Sequence, residues 1–184
     1  MTTDLQDLGA ELGASERTLR RALNEGTLRA NRPSPRRLTI TAAEKHYLRQ
    51  SWSLLAALRQ ILRTEQNVRF ALLFGSAARG DDTAHSDLDL LVSMRDPSLA
   101  RIADFSLKLE SALGRSVDVV TLEDAATAPH LLAEASTEGR VLVDREGRWQ
   151  VLRAEADTLR RRARRNDKHR IEKALAGIDR MLAD

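Results

Sequence analysis

Apolar residues recur at helical spacing toward both ends of the chain and gather into short unbroken runs in its middle. Leu5, Leu8 and Leu12 predict a short helix over 5–12. Gly13-Ala14-Ser15 reads as a turn, Ser15 as the N-cap of a second helix over 16–24, and Gly26 as its stop. That helix turns Leu19 and Leu23 inward and Arg17, Arg20 and Arg21 outward. Thr27–Ala30 and Arg37–Ile40 alternate on either side of Asn31-Arg32-Pro33-Ser34-Pro35, which predicts a hairpin. Thr41 and Glu44 form a capping box for a long helix ending near Thr64, with Leu48, Trp52, Leu55, Leu58 and Leu62 as its apolar stripe.

The middle of the chain changes period. The run Val68 to Phe74 predicts a buried strand, followed by a short helix near 76–79 and a second strand over 88–93. Asp96-Pro97 opens a helix over 97–113, with proline at its first position. A β-branched strand over 116–120, a helix over 122–137 stopped by Gly139, and a strand over 140–143 complete this part. The last element is a helix over 148–182, bent at Asn166-Asp167 and weakened by Gly177. The fold class expected is α+β: a small mixed sheet flanked by helices, an N-terminal helix-turn-helix with a hairpin wing, and a long C-terminal helical segment. Expected boundaries are 1–40, 41–65 as a connecting helix, 66–144 and 145–184.

At 184 residues the chain suffices for one ordinary domain or two small ones. Hydrophobic residues make up 42% and aromatics 3%, so the core must be built from Leu, Ala, Val and Ile. The absence of cysteine removes disulfides and thiolate metal sites and fits a reducing cytoplasm. Asp4 and Asp7 rule the N-terminus out as a signal peptide, and no apolar run is long enough for a membrane span, so a soluble cytoplasmic protein is expected.

Net charge is only +3, but arginine is clustered. Ser15 to Ile40 holds seven Arg against two Glu, and Arg145 to Lys173 eleven basic against five acidic residues. Such clusters suit polyanions. A basic second helix beside a hairpin tipped by Arg32 and Arg36 resembles a winged helix-turn-helix; Arg17, Arg20, Arg21, Arg32 and Arg36 are then candidate DNA contacts, with a homodimer reading two half-sites. A solvated arginine-rich face is the alternative.

The chemistry concentrates in the middle. Gly75-Ser76 ends the first strand, and after ten residues comes Asp87-Leu88-Asp89, opening the second. Residues two apart on a strand share a face, so the two carboxylates project together and repel unless a cation lies between them. Hard ions such as Mg²⁺ take oxygen ligands and bridge carboxylates to phosphates. Gly-Ser supplies close backbone approach, free N–H groups and a hydroxyl. Asp118, an acid in an otherwise apolar strand, needs a metal, a partner or water. Three acids on neighbouring strands suit two metal ions. Asp81 and Asp82 read as salt-bridge partners, Trp52 and Trp149 as core or interdomain packing, and His46, His85, His130 and His169 lack metal-ligand spacing.

Gly75-Ser76-Ala77-Ala78-Arg79-Gly80 through Ser86-Asp87-Leu88-Asp89-Leu90-Leu91-Val92, with Asp118, resembles the minimal nucleotidyltransferase branch of the DNA polymerase β superfamily over about residues 66–144. The resemblance implies Mg²⁺-dependent transfer of a nucleoside monophosphate from a triphosphate such as ATP to a hydroxyl. It places Gly75, Ser76 and Arg79 on the triphosphate and Asp87, Asp89 and Asp118 on metal, with Asp118 helping to activate the acceptor. Similar small enzymes are antitoxins that adenylylate a HEPN-type toxin, which a self-repressing DNA-binding module would suit. Two alternatives stay open: a DNA-binding regulator that senses nucleotide, and transfer to tRNA or to a small molecule.

Overall fold

The structure, a computed structural model, describes residues 3–34 and 37–167. A four-stranded mixed sheet in the order β5-β4-β3-β6 sits at its centre. β3 (Val68–Phe74) and β4 (Leu88–Met94) run antiparallel, β5 (Val117–Thr121) runs parallel to β4, and β6 (Arg140–Asp144) antiparallel to β3. β3 and β4 are buried almost throughout, which is why their sequences are continuous apolar runs rather than alternating ones. α5 (Leu99–Leu113) provides the crossover that the parallel β4–β5 pair requires.

Around the sheet lie α1 (Thr3–Leu12), α2 (Glu16–Glu25), α3 (Ala42–Thr64), α4 (Gly75–Arg79), α6 (Leu122–Ala125), α7 (Pro129–Glu138) and α8 (Arg148–Ala154). β1 (Asn31–Ser34) pairs antiparallel with β2 (Arg37–Thr39). Ser15 caps α2 through its side-chain oxygen, and Gly26 ends it at φ 88°. The stripe Leu48, Trp52, Leu55, Leu58 and Leu62 of α3 is buried, as expected. Among the described residues no helix is long and apolar enough to cross a membrane.

One apolar core crosses the expected boundaries. It joins Leu5, Leu8 and Leu19 of the first two helices to Leu48 and Leu55 of α3 and to Leu73, Leu90 and Leu142 of the sheet. Trp149 and Leu152 of α8 close a second cluster on the opposite side, over Phe70, Leu72 and Leu91. Trp52 and Trp149 are both buried, as packing residues.

Several elements differ from expectation, each for a physical reason. The first hairpin strand is not Thr27–Ala30 but Asn31–Ser34: Thr27 and Leu28 are both buried, so the segment plugs into the core instead of alternating. Thr27 donates to the Val141 carbonyl at 2.5 Å, and the Val141 N–H returns a bond to the Gly26 carbonyl at 3.2 Å. α5 starts at Leu99 because Asp96 and Pro97 lie before the N-cap Ser98, whose N–H the Asp96 carboxylate accepts at 3.1 Å. The helix expected over 122–137 is two, since Pro129 lacks an N–H and holds Ala128 outside the helical region, at φ −122° and ψ 78°. The C-terminal helix turns at Glu155 before continuing over 156–167; its expected course to 182, with Gly177 and His169, lies outside the described residues. The side chain of Arg32 and all of Arg36 also lie outside them.

Candidate active site

The end of β3 and the start of β4 form one corner. Gly75 takes φ 69°, a left-handed conformation, immediately after the last strand residue. Phe74 pairs with Asp89 across the β3–β4 ladder, and a Cβ at position 75 would overlap the Asp89 carboxylate. Glycine is therefore required both by the turn and by the acid beside it. We expect Gly75→Ala to reduce nucleotide transfer by about 10²-fold, the cost of displacing a reacting group by about an ångström. Single-turnover kinetics beside a circular-dichroism melt would separate this from unfolding.

Asp118 arrives from the other side. The β4–β5 register sets Asp89 directly against Asp118, and Leu88 against Val117. Neighbours in register on parallel strands share a face, and Asp87, one residue before β4, is near enough for its charge to act on Asp89. Asp87 and Asp118 are exposed and Asp89 is half-buried. Burial, and then the charges of Asp118, Glu134 and Asp87, hold the Asp89 carboxyl above its usual pKa, while Arg79 opposes them. Among the described residues no three such groups close into a finished metal cage.

Arg115 braces the loop between α4 and β4. It donates to the Asp82 carboxylate at 2.8 Å and to the Ser86 carbonyl at 2.6 Å, fixing the approach to Asp87. Asp82 and Asp81 are thus both salt-bridged, Asp81 to Arg79 at 3.2 Å. Arg79 also pairs with Glu134 at 2.6 Å and Glu138 at 3.2 Å, so its guanidinium is turned toward α7. Ser76 is half-buried at the start of α4, beside Gly75.

A second layer, invisible in the motif, holds α4 from behind. Its last carbonyls lack helical partners. Arg140 donates through Nε to the Ala78 carbonyl at 2.8 Å, and the Tyr47 hydroxyl donates to that of Ala77 at 3.0 Å. Arg140 lies 3.4 Å from the Tyr47 ring centroid and grips Glu44 bidentately at 2.6 and 2.9 Å. Glu44 also accepts from the Arg29 N–H at 3.0 Å. The capping box at Thr41 is accordingly half made: Thr41 accepts from the Glu44 N–H at 3.1 Å, but the Glu44 carboxylate serves Arg140. Buried Arg59 ties α3 to α2 through Glu25 and Thr27.

Of the arginines expected to face DNA, Arg17, Arg20 and Arg21 are exposed on α2, with Arg20 paired to Glu16 and Arg21 to Glu25. They stand apart from the acidic corner. The signal for Arg140 was a charge opening a buried strand; Tyr47 and Glu44 gave none beyond their places on a helix.

Comparison with known proteins follows the same corner. Residues 56–148, which include Gly75 through Asp118, match the family described as polymerase beta, nucleotidyltransferase. The chain belongs to that family. A Thermococcus cleftensis protein named protein adenylyltransferase MntA is 39% identical over 69 residues, 37% of this chain and 70% of that one. A Methanocaldococcus jannaschii protein is 36% identical over 66 residues, 34% of this chain and 66% of its own length. The aligned stretch thus spans about two thirds of these relatives.

Two solved structures share the nucleotidyltransferase fold. One, described as a toxin–antitoxin with AMP-PNP, superposes with a TM-score of 0.54 at 22% identity, over 66% of this chain and 98% of that chain. The other, a tri-AMPylated Shewanella oneidensis HEPN toxin in complex with MNT antitoxin, gives 0.50 at 18% identity over 66% and 98%. The donor set suits a hard divalent ion: the carboxylates of Asp89 and Asp118 side by side, Asp87 near them, and a glycine that leaves the Asp89 oxygen uncovered.

Proposed function

We propose that this nucleotidyltransferase moves AMP from ATP to a hydroxyl on a HEPN-type toxin, as the antitoxin of that toxin. The observation that carries this is the Asp89–Asp118 register with Gly75 against Asp89. The relative from Thermococcus cleftensis is named a protein adenylyltransferase, and the two fold neighbours are toxin–antitoxin complexes, one of them AMPylated, which supports a protein acceptor.

Asp87, Asp89 and Asp118 would hold two Mg²⁺ ions. When bound, the metal neutralises phosphate charge and makes the acceptor hydroxyl more acidic. Gly75 and Ser76 offer backbone N–H groups and a hydroxyl to the triphosphate. Asp118, on the outer of the two strands, would help to remove the acceptor's proton. Arg79 reaches phosphate by leaving Glu134 and Glu138. The residue set positions and stabilises charge, which is what phosphoryl-type transfer chiefly needs.

The N-terminal helices and hairpin would act as a winged helix-turn-helix, holding operator DNA through Arg17, Arg20, Arg21, Arg32 and Arg36 as a dimer and repressing the antitoxin's own operon. A regulator that senses nucleotide is the second reading. It is favoured by the direct bonds from Tyr47 and Arg140 to the nucleotide turn. Promoter binding measured with and without ATP and Mg²⁺ distinguishes the two: unchanged affinity supports independent repression, and a shift supports sensing.

The function is tested by incubating the protein with labelled ATP, Mg²⁺ and a HEPN-type toxin from the same genome. Label should enter that protein, and Asp118→Asn should prevent it. Label in RNA, or in nothing, contradicts the proposal.

A further inference from the structure

α7 has two sides. Glu134 and Glu138 reach Arg79, whereas Ser136 and Thr137 floor a separate cleft of about 740 Å³. One wall is the segment from Leu23 to Ala30, and the other carries Trp149, Arg153 and Arg160. Three guanidinium groups, those of Arg29, Arg153 and Arg160, line it, and among the described residues no carboxylate does. In a chain with 30 basic and 27 acidic side chains, a polar cleft cleared of acids has a definite sign.

The arginines are placed by the fold. Arg29 donates to the Glu138 carbonyl, Arg153 lies 5.8 Å from the Trp149 ring centroid, and Arg160 donates to the Thr137 hydroxyl at 3.2 Å. Asp157, exposed beside the cleft, accepts from Arg160 at 3.4 Å. The basic surface continues outward. The helix over 156–167 buries Leu159 and Ala163 and exposes Arg161, Arg162, Arg164 and Arg165. At 1.5 Å per residue, one further turn separates Arg160 from Arg164, about 6 Å along the helix.

We propose that this cleft is a binding site for a single nucleic-acid strand. Its phosphates would meet Arg29, Arg153 and Arg160 in turn and then follow the exposed arginines of the last described helix. The shape favours a strand over a duplex. Duplex DNA is read by a helix or ribbon inserted into its groove, whereas a walled basic channel tracks one backbone. The site uses none of the residues assigned to operator DNA or to the triphosphate, so it stands or falls apart from the transfer reaction.

The test is fluorescence anisotropy of the full chain with labelled mixed-sequence single-stranded RNA, the same strand as DNA, and the corresponding duplex, over a salt series. Single strands should bind more tightly than duplex, with RNA and DNA arms reporting which backbone is preferred. Arg153→Ala with Arg160→Ala should weaken strand binding by about tenfold and lower the salt slope by about 1.4, at roughly 0.7 per lost phosphate contact. Arg17→Ala with Arg20→Ala and Arg21→Ala should leave it unchanged. Photo-crosslinking of a thiouridine strand to the wild-type chain gives a readout that needs no variant, and the label should map to residues 23–30, 136–139 or 149–165. Duplex preference, loss of binding only in the α2 variant, competition by an acidic polypeptide but not by a strand, crosslinks elsewhere, or no binding would each overturn the proposal.

Discussion

Asp89→Asn is expected to lower nucleotide transfer by at least about 10²–10³-fold, the scale of losing one charge-stabilising group, while raising the melting temperature of the metal-free protein. Both effects have one origin. Burial and the neighbouring charges of Asp118, Glu134 and Asp87 raise the Asp89 pKa in the folded chain. The native state therefore holds a proton there more readily than the unfolded chain does. Stability falls as pH rises from the ordinary carboxylate range through the raised value, so at neutral pH the ionised acid opposes folding. Asparagine removes that opposition together with the proposed metal ligand. The melting-temperature advantage of the variant should shrink on acidification and also when Mg²⁺ and ATP are added to both proteins, since only wild type gains from binding. Equal melting temperatures at neutral pH without metal would show that the acids do not repel one another.

Arg140→Ala should cost stability most. The side chain is 2% exposed and satisfies Glu44, the Thr27 carbonyl and the Ala78 carbonyl at once. Removing it leaves a buried carboxylate without its bidentate cation, a loss of typically about 3–5 kcal/mol, or a melting-temperature drop on the order of 10 °C for a chain of this size. Because the same guanidinium holds the last turn of α4, surviving folded protein should also bind ATP more weakly. Adding Glu44→Ala should restore part of the stability, since it removes the stranded charge, but not the nucleotide affinity. A double-mutant cycle in thermal melts and in ATP binding measures both. Tyr47→Phe, which keeps the ring under Arg140 and deletes the hydroxyl that bonds Ala77 and Ser51, should affect binding more than melting.

The contrast between these two sites explains what was legible. β3 was read to the residue because both of its faces are buried and it stops at a glycine that cannot be replaced. Asp89 and Asp118 stand out in the sequence because a carboxylate in an apolar strand violates the local pattern, and the β4–β5 register sets the two side by side. Arg140 and Glu44 are 96 positions apart, and no local periodicity links them. Glu44 looked like a capping residue because it does sit three positions after a helix N-cap; only the tertiary partner redirects its carboxylate. The hairpin strand was misplaced for the same reason. Thr27 alternates correctly for a strand, yet its hydroxyl is taken by Val141 and its neighbour Leu28 by the core. Helix starts at Ser98 and Ala128 shifted by rules that act within a few residues, through an Asx turn and a proline.

The arginine pairing of Arg79 has a consequence for the site. With Glu134 and Glu138 holding it, the mouth around Asp89 carries more negative charge than the three aspartates alone, since Glu134 also raises the Asp89 pKa. Triphosphate is then expected to bind well only with divalent metal, whose charge offsets the repulsion between these carboxylates and the phosphates.

The most direct measurement is equilibrium binding of Mn²⁺ in the presence of a non-hydrolysable ATP analogue, followed by electron paramagnetic resonance. Wild type should take up the ion with nucleotide, and Asp87→Asn, Asp89→Asn and Asp118→Asn should each weaken uptake without unfolding the chain. Uptake by the Asp118→Asn protein equal to that of wild type would contradict a shared site on β4 and β5.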